Sequence, residues 1–487
     1  MIDLLLALFS GVVGGLLLAV LPKATGTLRQ MVALVFCALG AFFTWRVALA
    51  VFAGEGPRLA ANIGGFTFSL HPDPLGALFA LLVSTLWVFA LLYSFGYLAT
   101  GRHERTYYVY FLLAFSVTLG VAFAGNLLAL YLCYELLTFV TYPLVIHERN
   151  NAAVKAGTKY IIYHLSGAGA ILLGIVILHF WVGGPLEFAK EALLAGADLR
   201  PGLDWLLALF VIGFGVKAAV MPLHRWLPAA MVAPTPVSAL LHAVAVVNCG
   251  VYGILRTIYS IFGPALMSQL RLSVLLPWLA AFTIVGGSLV ALRQDVLKRR
   301  LAYSTISQLS YVLLGAFTLH PWGLAGAVFH MLNHSLLKIV LFFGAGIMAK
   351  ESGKVRVSGL AGVGWQLPRT LVAFGVGSLG MIGMLPLNAF WSKYYLVKGS
   401  VAGGMWPMAV VLGVSGLLNA FYFVPILMRA FQGKPSQGVG RPAGRGRLML
   451  VPTLILVGMV LMIGLWPGLV WRGVESVVDW FFSGGGL

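Results

Sequence analysis

The residues of this 487-residue chain best suited to chemistry are the few ionisable ones that fall inside apolar stretches. Glu135 stands in LLALYLCYELLTFVTYPLVI. An acidic side chain at bilayer depth there costs about 2.5–3.5 kcal/mol, so a partner or a protonation role is the first expectation and a neutral acid acting as helix glue the second. The bases at depth are Lys217, Lys338 and Lys393, accompanied by His164, His242, His330 and His334. A lysine in low-dielectric surroundings gives up its proton more readily, and a carboxylate beside it reverses that, so shifting the carboxylate loads or unloads the amine. Glu135 and Lys217 are the obvious pair of this kind.

His330, His334 and Lys338 are spaced i, i+4, i+8, which sets them along one helix face over roughly 12 Å. Three titratable groups in a row on an apolar helix suit a proton relay, because imidazole can give and take protons on separate nitrogens near neutral pH. Hydrogen bonding between helices is a second reading. A zinc site is a third, but two histidines need a further ligand and none of the usual kind stands nearby in sequence. His242 follows the PTPVS stretch and could bridge Lys217 to His330. His164 and His224 are weaker candidates, with hydrogen bonding within the bundle and a wet structural role as their alternatives. Arg46 can snorkel to the interface and needs no role. Laid in order, Glu135, Lys217, His242, His330, His334, Lys338 and Lys393 form a polar series along the membrane plane. The three cysteines, Cys37, Cys133 and Cys249, are far apart in hydrophobic stretches. They form no CxxC pair, iron–sulfur set or disulfide framework, so neither metal nor cofactor is expected.

The elements that must hold these residues follow from composition. With 60% hydrophobic and 9% charged residues and a mean hydropathy of +0.96, the chain cannot cover a water-facing surface and reads as a polytopic membrane protein. The 59 glycines agree, since small residues let membrane helices approach closely. Apolar windows fall at about 2–21, 31–52, 74–97, 107–124, 127–146, 159–181, 205–228, 237–259, 272–293, 301–319, 323–349, 371–398, 405–431 and 448–470, giving about fourteen spans and an all-α fold. Met1–Leu21 lacks a basic n-region and a small-residue cleavage site, so it reads as a retained first span. The odd-numbered loops carry nineteen Lys and Arg, among them Lys23, Arg102, Lys298, Lys434, Arg441 and Arg445. The even ones carry five: Arg58, Lys190, Arg200, Arg256 and Arg271. That bias puts the odd loops in the cytoplasm and both termini outside. The net charge of +18 is therefore a topology signal and not a nucleic-acid footprint. Apart from Glu135, the acids, Asp73 and Asp198 included, fall in loops or near span ends.

Spans seven and twelve are broken at Pro222 and Pro386. A mid-helix proline removes a backbone hydrogen bond, and in a bilayer the freed groups need protein or trapped water. Met221-Pro222-Leu223 is followed by Trp226 with Lys217 close by, and Leu385-Pro386-Leu387 by Trp391 and Lys393. An offset of five spans reverses direction, so the pair predicts two inverted five-helix repeats, spans four to eight and nine to thirteen, unless the short motif recurs by chance. The expected organisation is a three-helix segment (1–106), a first repeat (107–259), a second repeat (272–431) and a C-terminal helix with tail (448–487).

The blocks KAAVMPLHRWLPAAMVAPTPVSALLHAV (217–244), LAYSTISQLSYVLLG (301–315) and FHMLNHSLLKIVLFFGAG (329–346) resemble the antiporter-like subunits shared by Mrp-type sodium/proton antiporters, respiratory complex I and membrane-bound hydrogenases. The resemblance covers nearly the whole chain. It implies fourteen helices with two inverted five-helix repeats. It also implies that Glu135 matches the family's fifth-helix glutamate, Lys217 its seventh-helix lysine, Lys338 its central lysine and Lys393 its exit-side group in the twelfth. Two positions depart from the pattern. Asn248 stands where many relatives have lysine, leaving part of the central relay to His242 or water, and Asn388-Ala389 replaces a frequent Ser-Gly pair at the second break. The compact length and the absence of a long lateral helix look most like the D-type member of the Mrp antiporter set. The expected function is that of a transporter subunit and not an enzyme, moving protons and in some complexes Na+ in the cytoplasmic membrane beside other membrane subunits. A proton-pumping subunit of complex I or a hydrogenase, and a membrane subunit of an inorganic-carbon-uptake complex, are the alternatives. An anchoring subunit with no transport role is the competing class.

Overall fold

The computed structural model describes the chain except residues 22–24, 65, 99–102, 197–198, 434–443 and 483–487. Lys23, Arg102, Asp198, Lys434 and Arg441, which enter the loop reading above, lie outside the described residues, as does the side chain of Arg445.

The chain runs through α1 (Ile2–Val20), α2 (Gly26–Phe52), the strands β1 (Leu59–Ile63) and β2 (Phe66–Leu70), α3 (Pro74–Leu98), α4 (Glu104–Phe123), α5 (Leu127–Val145) and α6 (Asn151–Val182). It continues with α7 (Leu203–Lys217), α8 (Trp226–Ala229), α9 (Thr235–Ala243), α10 (Val246–Arg256), α11 (Pro264–Met267), α12 (Arg271–Arg293), α13 (Leu297–Phe317) and α14 (Pro321–Ser352). The remainder comprises α15 (Val363–Gln366), α16 (Pro368–Ile382), α17 (Asn388–Ala402), α18 (Trp406–Ala430), α19 (Gly444–Leu465) and α20 (Gly468–Phe481). Among the described residues, eleven helical stretches are long and apolar enough to cross a bilayer, the run Thr235–Phe262 through α9 and α10 counted as one. The other three of the fourteen expected windows are explained by sequence. Two are the broken spans, whose halves α7, α16 and α17 have 15 residues each. The third is α13, long enough at 21 residues but opened by LKRR and followed by a run of Ser, Thr and Gln.

Helix ends reach past the apolar windows because capping, not hydropathy, sets them. Thr25 accepts from the Leu28 N–H at 3.3 Å and Asn150 from the Ala153 N–H at 2.8 Å, each satisfying an orphan donor of a first turn. Gly183 and Gly353 close α6 and α14 in left-handed backbone, at φ 67° and 70°, where a Cβ would be strained.

Three features depart from the expected plan. Residues 59–70, read as loop, form an antiparallel hairpin in which Leu59 pairs with Leu70. The eighth span is interrupted after His242, between α9 and α10, and runs on past Arg256 as a π-helical turn over Thr257–Phe262. The tail after Pro467 is the amphipathic α20, which buries Val474, Val477, Val478 and Phe481. Helix α14 lies at the centre, unbroken over 32 residues, packed by α9, α13, α16, α17 and α19.

Candidate functional site

In the first half, α7 ends at Lys217. Its Nζ donates to the Tyr134 carbonyl of α5, lies 3.5 Å from the centre of the Tyr134 ring, and stands 4.0 Å from Glu135 Oε1. Lys217 is buried, whereas the Glu135 side chain is 13% exposed, so Glu135 sits at the rim of the bundle rather than wholly within it. The turn that follows α7 takes up its last carbonyls, the Ala219 N–H reaching Val216 O at 3.1 Å. Trp226, just beyond the break, adds a second donor to that carbonyl from Nε1 at 2.7 Å. His164 of α6 packs edge-on against Tyr160 at 4.0 Å and against Trp226 at 4.4 Å, within electrostatic reach of Lys217. It therefore belongs to this cluster. His224 lies apart, half-buried beside Tyr303 at 5.9 Å.

At the centre, His242 is fully buried against Phe342, ring centres 5.0 Å apart. Its charged neighbours are Lys338 and Lys298, so it stands with the α14 groups, and among the described residues no direct hydrogen bond joins it to Lys217. Asn248 has a structural partner set: its Nδ2 donates to Ala243 O at 2.7 Å and to Ser335 Oγ at 2.8 Å. The first of these satisfies a carbonyl freed by the interruption after His242.

In the second half, His330, His334 and Lys338 share one buried face of α14. The Lys338 ammonium donates to Leu301 O at 3.1 Å and to the Ser304 hydroxyl. His334 follows, its ring centre 6.2 Å from that of His330. His330 is held on both nitrogens, Nε2 at 3.0 Å from Gln308 Oε1 and Nδ1 at 2.9 Å from Ser392 Oγ, and its ring stacks on Tyr311. Lys393 turns back across the second break to donate to Met381 O at 2.6 Å and Ile382 O at 3.0 Å. An ammonium on the exposed carbonyls of a half-helix is favoured by the helix dipole. Gly383, at φ 97°, is what lets it pass, since a Cβ there would meet Lys393 Cδ at 2.9 Å.

The two breaks share a cis peptide before proline but differ in their supports. Trp391 bonds not to its own half-helix but to Gly464 O of α19 at 2.8 Å. Asn388, the departure noted at this break, donates from Nδ2 to Asn333 Oδ1 of α14 and accepts Asn333 Nδ2 on its backbone carbonyl, each 3.0 Å long, and so clamps the start of α17. Among the described residues no three His, Cys, Asp or Glu side chains converge as metal ligands would.

A transmembrane family described as NADH:quinone oxidoreductase/Mrp antiporter, TM, matches residues 124–419, more than half of the chain. The chain belongs to this family. It is 36% identical over 409 residues to NADH-quinone oxidoreductase subunit N of Desulforudis audaxviator, covering 81% of each chain. It is 31% identical over 450 residues to Na(+)/H(+) antiporter subunit A1 of Staphylococcus aureus, covering 84% of this chain and 54% of that longer protein. Among solved structures it resembles a chain of the archaeal membrane-bound sulfane sulfur reductase, at 25% identity and TM-score 0.88 over 99% of this chain and 97% of that one. The fold is also that of a chain of the Mrp complex of Dietzia sp., at 21% identity and TM-score 0.84 over 99% and 98% of the two chains.

Two groups of buried polar residues in this antiporter-like membrane subunit are ones that charge-at-depth reasoning passed over. The first is Ser304, Gln308 and Tyr311 on α13, whose i, i+4, i+7 spacing in LAYSTISQLSY was a readable polar stripe. The second is a buried ion pair. Arg256, read as a loop residue, is fully buried inside the eighth span, and Asp73 caps α3 as its partner. Arg256 falls inside the 237–259 window, three residues from its end, where a charge is easily counted with the loop that follows.

Proposed function

We propose that the chain translocates protons as one subunit of a multisubunit membrane complex, along a series from Glu135 and Lys217 through His242 and the α14 groups to Lys393. His164 lies beside the first cluster, and Asn248 holds the central interruption. The observation that carries this reading is the pairing of Glu135 with Lys217 at 4.0 Å at one end and, at the other, a buried file of His330, His334 and Lys338 on one unbroken helix. A buried charge is costly unless it is paired or functional, and the Lys217 and Lys338 ammoniums rest on carbonyl and hydroxyl oxygens. The two broken spans are read as equivalent positions of inverted repeats, with both termini on the non-cytoplasmic side of the inner membrane. The chain's own part is proton movement; the driving reaction or ion gradient belongs to its partners.

The test uses the assembled complex in proteoliposomes. Glu135→Ala and Lys217→Ala are expected to abolish coupled proton movement with assembly intact, and full transport in both variants overturns the reading. An Mrp-type antiporter subunit of the D type is the first assignment within the class, with Na+ as the exchanged ion. A complex I-type proton-pumping subunit is the second, supported by the 36% identity to subunit N. Mass spectrometry of co-purified partners separates the two, since peripheral redox subunits accompany only the latter.

A further inference from the structure

The buried polar groups outside the series above are not scattered. Asn248, Tyr252 and Arg256 recur at i, i+4, i+8 on α10, with Ser260 one turn on in the π-helical segment, and all four side chains are fully buried. The stripe starts at the centre of the protein, where Asn248 bonds Ser335, the neighbour of His334. It ends at Asp73, beyond which His71 accepts from Arg58 Nε at 3.0 Å and lies within electrostatic reach of Asp73 and Glu187. It is thus a polar track from the middle of the candidate relay to the end of the bundle that carries the hairpin.

Its hydrogen bonding is of an unusual kind. Arg256 uses all five of its N–H donors: Nε and Nη2 on the Tyr252 hydroxyl at 3.0 and 2.6 Å, Nη2 on Asp73 Oδ1 at 2.7 Å, Nη1 on Asp73 Oδ2 and on Ser260 Oγ at 3.4 Å. The Tyr252 oxygen, with both acceptor sites taken, donates its own proton to Ala122 O at 3.3 Å. Asp73 Oδ1 also accepts the Gly76 N–H at 2.9 Å. Proton hopping requires every group to accept on one side while donating on the other. Guanidinium has donors only and does not deprotonate in proteins, and here it occupies both acceptor sites of the Tyr252 hydroxyl and grips both oxygens of Asp73.

We infer that the Asp73–Arg256–Tyr252 cluster is a proton-tight plug, closing a side route from the centre of the relay to the non-cytoplasmic surface so that protons stay on the lateral path. The inference rests on the relay reading above, and passive leak is read separately from coupled transport so that the two can fail independently. In proteoliposomes containing the whole complex, Arg256→Gln combined with Asp73→Asn neutralises both partners without stranding a charge. Passive proton influx driven by a potassium diffusion potential is expected to rise about tenfold, equivalent to about 1.4 kcal/mol of barrier. An assembled Gln/Asn variant with parental leak overturns the plug. Should the double variant fail to assemble, Arg256→His decides. It keeps a donor for Asp73 but introduces a group that can both give and take a proton, so a leak supports the plug and a tight assembled complex overturns it. Loss of coupling in Glu135→Ala is unaffected by either result.

Discussion

His330 owes its orientation to two neighbours that are not themselves charged. With Gln308 Oε1 as acceptor at 3.0 Å, the imidazole carries its proton on Nε2, leaving Nδ1 to face the Ser392 hydroxyl at 2.9 Å. Since the tautomer sets the direction in which a histidine can pass a proton, Gln308 is a positioning residue. Gln308→Leu is expected to lower coupled proton movement by about tenfold, the scale of one lost hydrogen bond and its stranded donor. Gln308→Glu, which keeps an acceptor, is expected to retain more. Initial rates in proteoliposomes of the two assembled complexes check this, and equal rates for Leu and parent would remove the role. Glu135, the three lysines and the α14 histidines were legible because an ionisable residue inside twenty apolar ones is conspicuous. Gln308 and Ser392 were not, because single Ser and Gln residues are common in membrane helices and only their contacts single them out. Arg256 was misread for a third reason: hydropathy cannot tell a charge just past a span from one just inside it.

At the scale of elements, the sequence disclosed both proline breaks but not what supports them, since backbone carbonyls have no signature in residue type. The loops after α12 and α14 repeat the lesson. Asp295, between α12 and α13, accepts the Ser358 N–H at 2.9 Å and its hydroxyl at 2.8 Å, while its own carbonyl takes the Val357 N–H at 2.7 Å and Leu297 donates to Val355 O at 3.0 Å. This clasp ties the lead-in of α13 to the segment after α14. The Ser358 backbone N–H first, then its hydroxyl, holds the Asp295 carboxyl below its usual range. A carboxylate whose folded value is depressed stabilises above its unfolded value, about 3.9, and loses that contribution as pH falls through the folded one. Hydrogen-exchange protection at Leu297, Val357 and Ser358 is therefore expected to be level from neutrality to about pH 5 and to fall only below about pH 4. Asp295→Asn lowers it severalfold and removes the acid limb. An acid limb that survives in Asp295→Asn would assign the clasp to another group.

For the whole molecule, the polytopic all-helical architecture was legible because long apolar windows recur from end to end, and eleven of the fourteen fall on helical stretches long and apolar enough to cross a bilayer. The hairpin at 59–70 and α20 escaped because neither is a span, although the alternation in ANIGGFTFSL was a strand signal. Sidedness is open to a direct test, as two of the native cysteines are buried and Cys133 is half-buried. Glu55→Cys is expected to react with an impermeant maleimide added to intact cells, and Glu148→Cys only in inverted vesicles; the reverse pattern would invert the topology. The two halves nevertheless differ in self-sufficiency. The first break is closed by its own Trp226, whereas the second leans on α19, through Trp391 and through Gly464, where a Cβ would run into Pro386 O. The halves are consequently not interchangeable parts. A gene cut between α18 and α19 would leave one half with its fold line intact and the other missing a wall, so fragments co-expressed from that cut would have to find each other at Gly464 before the second break could take shape.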